Sequence, residues 1–139
     1  HCIAVDPWFI ISDYPKESSL FKHAREINTD KTEWIIKDIL NRTDNNSSIG
    51  ILGLSYKPNV DDVRESPAVD IVNSLANKRK IIIHEPYLNN FKNFNLVNSD
   101  KLVEKSDFIA VLVNHKEFKN INFKHKNFID YCGFLNGYL

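Results

Sequence analysis

Apolar residues near the start of the chain recur with the spacing of a helix. From Lys16 to about Asn41 they return roughly every 3.6 residues with charged residues between them, which predicts an amphipathic helix. Its apolar positions are Leu20, Ala24, Ile27, Trp34, Ile35 and Leu40. The triplet Asn-Thr-Asp at residues 28–30 is expected to weaken or kink this helix. Residues 1–16 contain Pro7 and Pro15 and show no sustained period, so we expect an irregular segment with a short apolar turn.

After residue 48 the pattern changes to short apolar runs separated by polar stretches. Four runs predict strands, at residues 49–54, 80–84, 107–113 and 127–130. A helix is predicted to begin at Pro67, where a missing N–H needs no partner, and a shorter helix over residues 99–106. The buried stripe of the Pro67 helix would be Ala68, Ile71, Val72 and Leu75. Strands that alternate with helices pair in parallel, so we predict an α/β domain of three layers.

A polar stretch of turn-forming residues, NRTDNNSS at positions 41–48, separates the long helix from these strands. It predicts a division of the chain into residues 1–46 and residues 47–139.

The overall charge limits the classes of partner. With 18 basic and 18 acidic residues the formal net charge is 0, and the cationic excess of a dedicated nucleic-acid-binding protein is absent. No apolar run approaches the ~18–20 residues that span a bilayer, so no membrane span is expected. Cys2 and Cys132 lie at opposite ends and are expected to be reduced thiols of a cytoplasmic protein. The chain has no methionine and begins at His1, which we interpret as a processed or shortened product.

Chemically useful side chains concentrate in the loop SYKPNVDDVRESP, which follows the first predicted strand. Ligands of parallel α/β sheets bind at the carboxyl ends of strands, and Lys57 and Arg64 could hold phosphates there beside the N-terminus of the Pro67 helix. An alternative is that Asp61, Asp62 and Glu65 pair with these cations or cap the helix. The strand exit, G-I-L-G-L-S, does not contain the dinucleotide fingerprint G-x-G-x-x-G.

The remaining histidines and lysines suggest structural roles. His23, His84, His115 and His125 lack metal-ligand spacing, so we expect surface or hydrogen-bonded histidines and no metal site. The cluster Lys116, Lys119, Lys124 and Lys126 is expected to be a solvated face, with attraction of a diphosphate as the alternative.

Residues 53–68, GLSYKPNVDDVRESPA, resemble the loop that opens the C-terminal domain of the UDP-glucose/GDP-mannose dehydrogenase family. The shared pattern is glycine, aromatic-lysine, two acids, then arginine-glutamate-serine. The resemblance implies that Tyr56 and Lys57 contact the nucleotide-sugar, and that Arg64 reaches NAD bound mainly by a separate N-terminal domain. It also implies a Rossmann-like parallel-sheet UDP-binding domain, preceded by a long connecting helix.

The start of the chain, HCIAVDPWF, resembles the catalytic-cysteine motif of the same family. Cys2 matches the nucleophile and Asp6 the aspartate that lies four residues beyond it. His1, Ala4 and Val5 depart from the version typical of members that oxidise UDP-glucose. The motif is more similar to that of members that oxidise UDP-N-acetyl-D-mannosamine, with UDP-N-acetylglucosamine next.

Two further segments extend the resemblance. AREIN at residues 24–28 is similar to the central helix, which implies a homodimer built through that helix. LVNHKEFKNI at residues 112–121 is similar to the late strand and its histidine-containing loop. The tail, residues 131–139, departs from the family pattern at Tyr131 and Cys132, so no tail contact is carried over.

The resemblance implies a four-electron oxidation of the sugar's primary alcohol to a uronic acid. Two hydride transfers to NAD convert the alcohol to an aldehyde and then, after Cys2 adds to it, to a thioester, which water positioned by Asp6 hydrolyses. We expect residues 1–139 alone to bind UDP weakly and to have no turnover.

Two other classes remain open on the sequence. One is a stand-alone nucleotide-binding or regulatory domain with no need for Cys2. The other is a thiol hydrolase that pairs Cys2 with His1 or His23, although no sequence feature orients such a pair on a strand-helix elbow.

Overall fold

The computed structural model describes residues 2–123 and 126–133. Its elements are helix α1 (Cys2–Asp13), helix α2 (Ser19–Asn41), strand β1 (Ser48–Leu52), helix α3 (Pro67–Ala76), strand β2 (Lys80–His84), helix α4 (Ser99–Lys105), strand β3 (Phe108–Val111), a 3₁₀ helix (Lys116–Asn120) and strand β4 (Asn127–Asp130). Predictions that involve His1, Lys124, His125 or residues 134–139 lie outside the described residues.

The four strands form one parallel sheet in the order β2-β1-β3-β4. Strand β1 lies between β2 and β3, and all five of its residues are buried. A strand covered on both faces needs apolar residues in succession, which accounts for the unbroken run Ile-Gly-Ile-Leu. The predicted parallel α/β fold is therefore confirmed.

Helices cover both faces of this sheet, because successive strand residues point in opposite directions. On one face, Ile49 and Ile51 of β1 pack against α3 and against the last turns of α2. On the other face, Leu52 packs with Leu102 of α4 and Phe118 of the 3₁₀ helix. The three-layer arrangement leaves the carboxyl ends of all four strands at one edge.

Two glycines shape the central strand. A Cβ on Gly50 would lie 2.5 Å from Ser106 Oγ and 2.8 Å from Leu102 Cδ2, so only glycine lets α4 pack this closely on β1. Gly53 has φ +91°, a left-handed conformation that favours glycine and turns the chain out of the sheet. For this reason β1 ends at Leu52, two residues earlier than predicted.

The first 13 residues correct the sequence prediction, because residues 2–13 form a helix instead of an irregular segment. Pro7 lies inside α1 and removes one backbone hydrogen bond, to the carbonyl of the exposed Ile3 near the helix start. The helix ends two residues before Pro15, where a proline disfavours helical backbone in the preceding residue. The prediction gave too much weight to the two prolines.

Helix α2 begins at Ser19 and runs to Asn41 without the kink expected at residues 28–30. Thr29 Oγ1 and Thr32 Oγ1 donate to the carbonyls of Arg25 and Asn28, so their hydroxyls are satisfied within the helix. The buried residues of α2 are Ile35 and Ile39, both in the second half of the helix.

Candidate functional site

The loop between β1 and α3, residues 53–66, forms the centre of the candidate site at the carboxyl edge of the sheet and is called the Lys57 loop below. The N–H of Tyr56 donates to the carbonyl of Asp62 at 2.8 Å and closes the loop on itself. Asn59 and Glu65 take left-handed conformations, with φ +62° and +55°. The residues between Tyr56 and Asp62 therefore project as an exposed tip, and Lys57 is part of it.

The two cations of this loop have different surroundings. Arg64 donates to Asp62 through Nε at 3.0 Å and NH2 at 2.7 Å, although its side chain remains 74% exposed. These hydrogen bonds lower the pKa of Asp62 to about 2. The pairing of acids with cations, left open by the sequence, thus applies to Arg64. Lys57 is exposed and makes no ion pair with any residue that the structure describes.

A buried carboxylate lies beneath the loop. Glu85, the first residue after β2, is 3% exposed and accepts the N–H groups of Leu54 and Ser55 on Oε2, at 2.7 and 3.2 Å. Its Oε1 accepts the N–H of Tyr87 at 3.1 Å. Burial alone would raise the pKa of Glu85, but hydrogen bonds from His115 and from these backbone groups hold it below its ordinary value.

His115, from the segment after β3, completes this buried group. Its Nε2 lies 3.0 Å from Glu85 Oε2, and its Nδ1 accepts the N–H of Asn59 at 2.8 Å. The expectation of a hydrogen-bonded histidine is confirmed, although the side chain is fully buried. Its ring packs against Tyr87, whose hydroxyl donates to Glu117 at 2.7 Å, and that bond raises the pKa of Tyr87 to about 12.

A cleft of about 380 Å³ opens beside the loop, between the ends of β1, β3 and β4. Its lining includes Tyr56, Pro58, Asn114 and Tyr131, and the N-terminus of α3 at Ser66 and Pro67. A second depression of about 710 Å³ lies between α2 and α3 and is also lined by Tyr56. It extends to Ile3 and Ala4 of α1, so Tyr56 lies between the two spaces.

Cys2 and Asp6 lie on α1, away from the Lys57 loop in the chain. Both are exposed, and their spacing of four residues places them on the same face of the helix. Cys2 and Cys132 are exposed cysteines, and Cys132 Sγ donates to Asp130 Oδ1 at 3.1 Å. Nδ1 of His23 is 3.0 Å from the carbonyl of Ser19, one turn earlier in α2.

Two contacts involve the tail and the lysine cluster. Tyr131 donates to Asp38 of α2 at 2.7 Å, and burial together with this bond raises the pKa of Tyr131. Lys126 is not simply solvated, because its Nζ donates to the carbonyl of Ser106 at 3.0 Å. Lys116 and Lys119 are exposed, as expected.

The turn after β1 does not fit NAD. A cofactor diphosphate in a Rossmann fold takes backbone N–H groups of the first strand-to-helix turn. Here the N–H groups of Leu54 and Ser55 are already occupied by Glu85. Within residues 2–123 and 126–133, no group of three or more His, Cys, Asp or Glu side chains could hold a metal ion. Among the helices described, none is both long and apolar enough to cross a membrane.

Sequence reasoning missed Glu85, Asn59 and Tyr87. Their signal was topological: Glu85 follows β2 immediately, and residues that follow neighbouring parallel strands meet at one edge of the sheet. His115 follows β3, which β1 separates from β2, so the Glu85–His115 contact also depends on the strand order, which the strand assignments alone do not give.

Known proteins share this domain. Residues 50–136 match the UDP binding domain of the UDP-glucose/GDP-mannose dehydrogenase family. UDP-N-acetyl-D-mannosamine dehydrogenase of Campylobacter jejuni is 40% identical over 143 residues, covering 95% of this chain and 35% of that protein.

Solved structures give the same result. The UDP-N-acetyl-mannosamine dehydrogenase from S. aureus has a TM-score of 0.79 at 32% identity, covering 96% of this chain and 34% of that one. GDP-mannose dehydrogenase from Pseudomonas aeruginosa shares the fold, with a TM-score of 0.81 at 22% identity over 96% of this chain and 36% of that one. The chain spans about a third of the length of the curated relatives it matches.

Proposed function

This chain belongs to the UDP-glucose/GDP-mannose dehydrogenase family, and we propose that it is the nucleotide-sugar-binding part of an NAD-dependent UDP-N-acetyl-D-mannosamine 6-dehydrogenase. Residues 47–139 would form the binding domain, and residues 1–46 would carry the catalytic cysteine and the connecting helix. Identity of 40% to a UDP-N-acetyl-D-mannosamine dehydrogenase supports this sugar over UDP-N-acetylglucosamine or UDP-glucose. We also propose a cytoplasmic location, which suits the exposed Cys2 thiol and which cell fractionation would test.

The observation that carries the binding proposal is the position of Lys57. It is an exposed cation without an ion-pair partner among the described residues, at the carboxyl edge of a parallel sheet, where ligands of this fold class bind. The neighbouring Tyr56 lines the adjoining cleft, onto which the N-terminus of α3 opens. An ammonium group and a helix N-terminus both favour a diphosphate, so we propose that Tyr56 and Lys57 bind the UDP part of the substrate.

Calorimetry with UDP tests this proposal. We expect the 139-residue chain to bind UDP, and Lys57→Ala to weaken binding about tenfold, since a hydrogen bond to a charged group contributes roughly 1.5–3 kcal/mol. Lys57→Arg, which keeps the charge, should lose less UDP affinity than Lys57→Ala.

Lys78→Ala is the matched control, because Lys78 is exposed at the opposite, amino-terminal edge of the sheet. Equal losses in Lys57→Ala and Lys78→Ala would indicate a general charge effect, and absence of heat with the unmodified chain would rule out the proposal.

We propose that Cys2 is the nucleophile and that Asp6, on the same face of α1, positions water. The Cys2 thiolate would hold C6 of the sugar as a thioester, and water would add to that carbonyl and release the carboxylic acid and the thiol. NAD supplies the oxidising equivalents when bound. Since the turn after β1 does not fit NAD, we propose that another part of the enzyme binds it, with the exposed face of Arg64 as a contact from this chain.

We further propose that α2 forms a homodimer. Leu20, Ile27 and Trp34 are 77%, 66% and 51% exposed and recur every seven residues, so they form one apolar stripe along the helix. Covering such a stripe against a second copy would remove apolar surface from water.

A further inference from the structure

Two buried side chains hold the backbone that follows the Lys57 side chain. Ser55 Oγ donates to the carbonyl of Lys57 at 2.6 Å. Two residues later, the N–H of Asn59 donates to His115 Nδ1 at 2.8 Å. Ser55 Oγ is in turn 3.3 Å from His115 Nε2. The exposed Lys57 is thus connected to the fully buried imidazole of His115 in two ways, through Ser55 and through Asn59.

The hydrogen bonds define the tautomer of His115. Because Nδ1 accepts the Asn59 N–H, it carries no proton, and the ring proton is on Nε2. That N–H donates to Glu85 Oε2 at 3.0 Å. Glu85 cannot swing away, since the same oxygen also accepts the N–H groups of Leu54 and Ser55. The carboxylate therefore selects the form of His115 that accepts from Asn59.

Asn59 is held at two points. Its φ of +62° is a left-handed conformation, which asparagine adopts more readily than other non-glycine residues. Its Oδ1 accepts the N–H of Lys116 at 2.9 Å, and its own N–H is bound by His115. Loss of the His115 acceptor would release the loop from the carboxyl edge of the sheet.

We propose that His115 is a positioning residue for the nucleotide, whose Nδ1 holds the Lys57 loop in the conformation that receives the diphosphate, while Glu85 fixes the required tautomer. This inference rests on the proposed binding role of Lys57. It assigns separate tasks to the two imidazole nitrogens, and each task can be removed without the other.

Two substitutions separate these tasks. The amide oxygen of asparagine can occupy the place of Nδ1, so His115→Asn retains an acceptor for Asn59 and loses the donor to Glu85. The amide nitrogen of glutamine can occupy the place of Nε2, so His115→Gln retains the donor and loses the acceptor. Both variants lose ring packing against Tyr87 and Phe118, so both should unfold at lower temperature.

We expect UDP affinity to separate the variants although their stabilities fall together. His115→Gln should bind UDP about tenfold more weakly than the unmodified chain, and His115→Asn within about threefold of it, a difference that calorimetry resolves. Without ligand, the Asn59 amide should exchange with solvent faster in His115→Gln and stay protected in His115→Asn.

UDP affinity and Asn59 amide exchange test different parts of the proposal. Equal loss of UDP affinity in both variants, in step with their melting temperatures, would overturn the positioning role and leave His115 as a packing residue. If the unmodified chain does not bind UDP, the proposed function fails, and the exchange contrast at Asn59 still tests whether His115 holds the loop. Equal Asn59 amide exchange in the two variants would overturn the holding of the loop by His115 as well.

Discussion

Glu85 has a negative charge in the interior of the protein. A buried carboxylate is stable only when donors surround it, and Glu85 accepts three backbone N–H groups and the imidazole N–H of His115. These donors lower the pKa of Glu85 from its ordinary 4.5 although burial acts in the opposite direction. The carboxylate is therefore a structural anion that joins the ends of β1, β2 and β3.

The lowered pKa of Glu85 predicts a pH dependence of stability. A carboxyl group whose pKa is lower in the folded state stabilises the fold fully above its ordinary pKa of 4.5, and that contribution is lost as pH falls through the lowered value. Glu85→Gln should cost about 2 kcal/mol in free energy of unfolding at neutral pH. The difference from the unmodified chain should shrink below pH 4.5 in chemical denaturation.

The matched control is Glu104→Gln, which removes an exposed carboxylate on α4. The free energy of unfolding of this variant should equal that of the unmodified chain at all pH values. A Glu85→Gln difference that stays constant down to strong acid would contradict the assignment of a lowered pKa.

Local pairs could be predicted from the sequence, and distant pairs could not. Asp62 and Arg64 are two residues apart in a turn, so their pairing was one of the two readings that the sequence left open. Glu85 and His115 are 30 residues apart, and they meet only because β1 lies between β2 and β3 in the sheet. Strand order sets that contact, and the apolar pattern does not specify strand order.

At the scale of elements, the strands and α3 were the most predictable. Helix α3 begins at Pro67 and buries Ala68, Ile71, Val72 and Leu75 as predicted, and β2 and β4 keep their predicted bounds. Their signals are strong because each packs apolar residues on the same core. Helix α1 buries only Ala4, so packing left little periodic signal in its sequence, and its prolines suggested a loop.

Helix α2 shows the opposite relation between pattern and packing. Its apolar repeat predicted a helix correctly, yet Leu20 and Ile27 are exposed and belong to neither core cluster of the described residues. An apolar stripe that a helix keeps on its exposed side is typical of an interface. The repeat therefore carries information about assembly as well as about secondary structure.

We predict that this stripe determines whether the chain is a dimer or a monomer in solution. Leu20→Glu and Ile27→Glu should each convert the proposed dimer to a monomer, because a carboxylate would be buried without a partner at the interface. Analytical ultracentrifugation measures the change. Thr29→Glu is the control, since Thr29 is exposed nine residues after Leu20, which is about half a turn around the helix. A monomeric unmodified chain, or equal effects of all three substitutions, would contradict the dimer.

For the whole molecule, the residues that we propose for nucleotide binding and those that we propose for catalysis lie on different elements. The carboxyl edge of the sheet holds Lys57 and the buried Glu85–His115 pair, whereas Cys2 and Asp6 lie on α1. Tyr56 borders the cleft at the sheet and the depression that reaches α1. A UDP-sugar bound at Lys57 could therefore extend its sugar along Tyr56 toward the helix of Cys2.

This division predicts binding without turnover for residues 1–139. The chain should bind UDP. It should reduce no NAD in the presence of UDP-N-acetyl-D-mannosamine, because Glu85 occupies the turn after β1. In the longer dehydrogenase that we propose contains it, Cys2→Ser should stop formation of the acid, since an alcohol is a far weaker nucleophile than a thiolate. UDP affinity measured by calorimetry should be unchanged in that variant, because we propose that Tyr56 and Lys57 bind UDP and serine differs from cysteine by one atom. Cys2-dependent NAD reduction by residues 1–139 alone, or acid formation that survives Cys2→Ser, would contradict this separation of binding from chemistry.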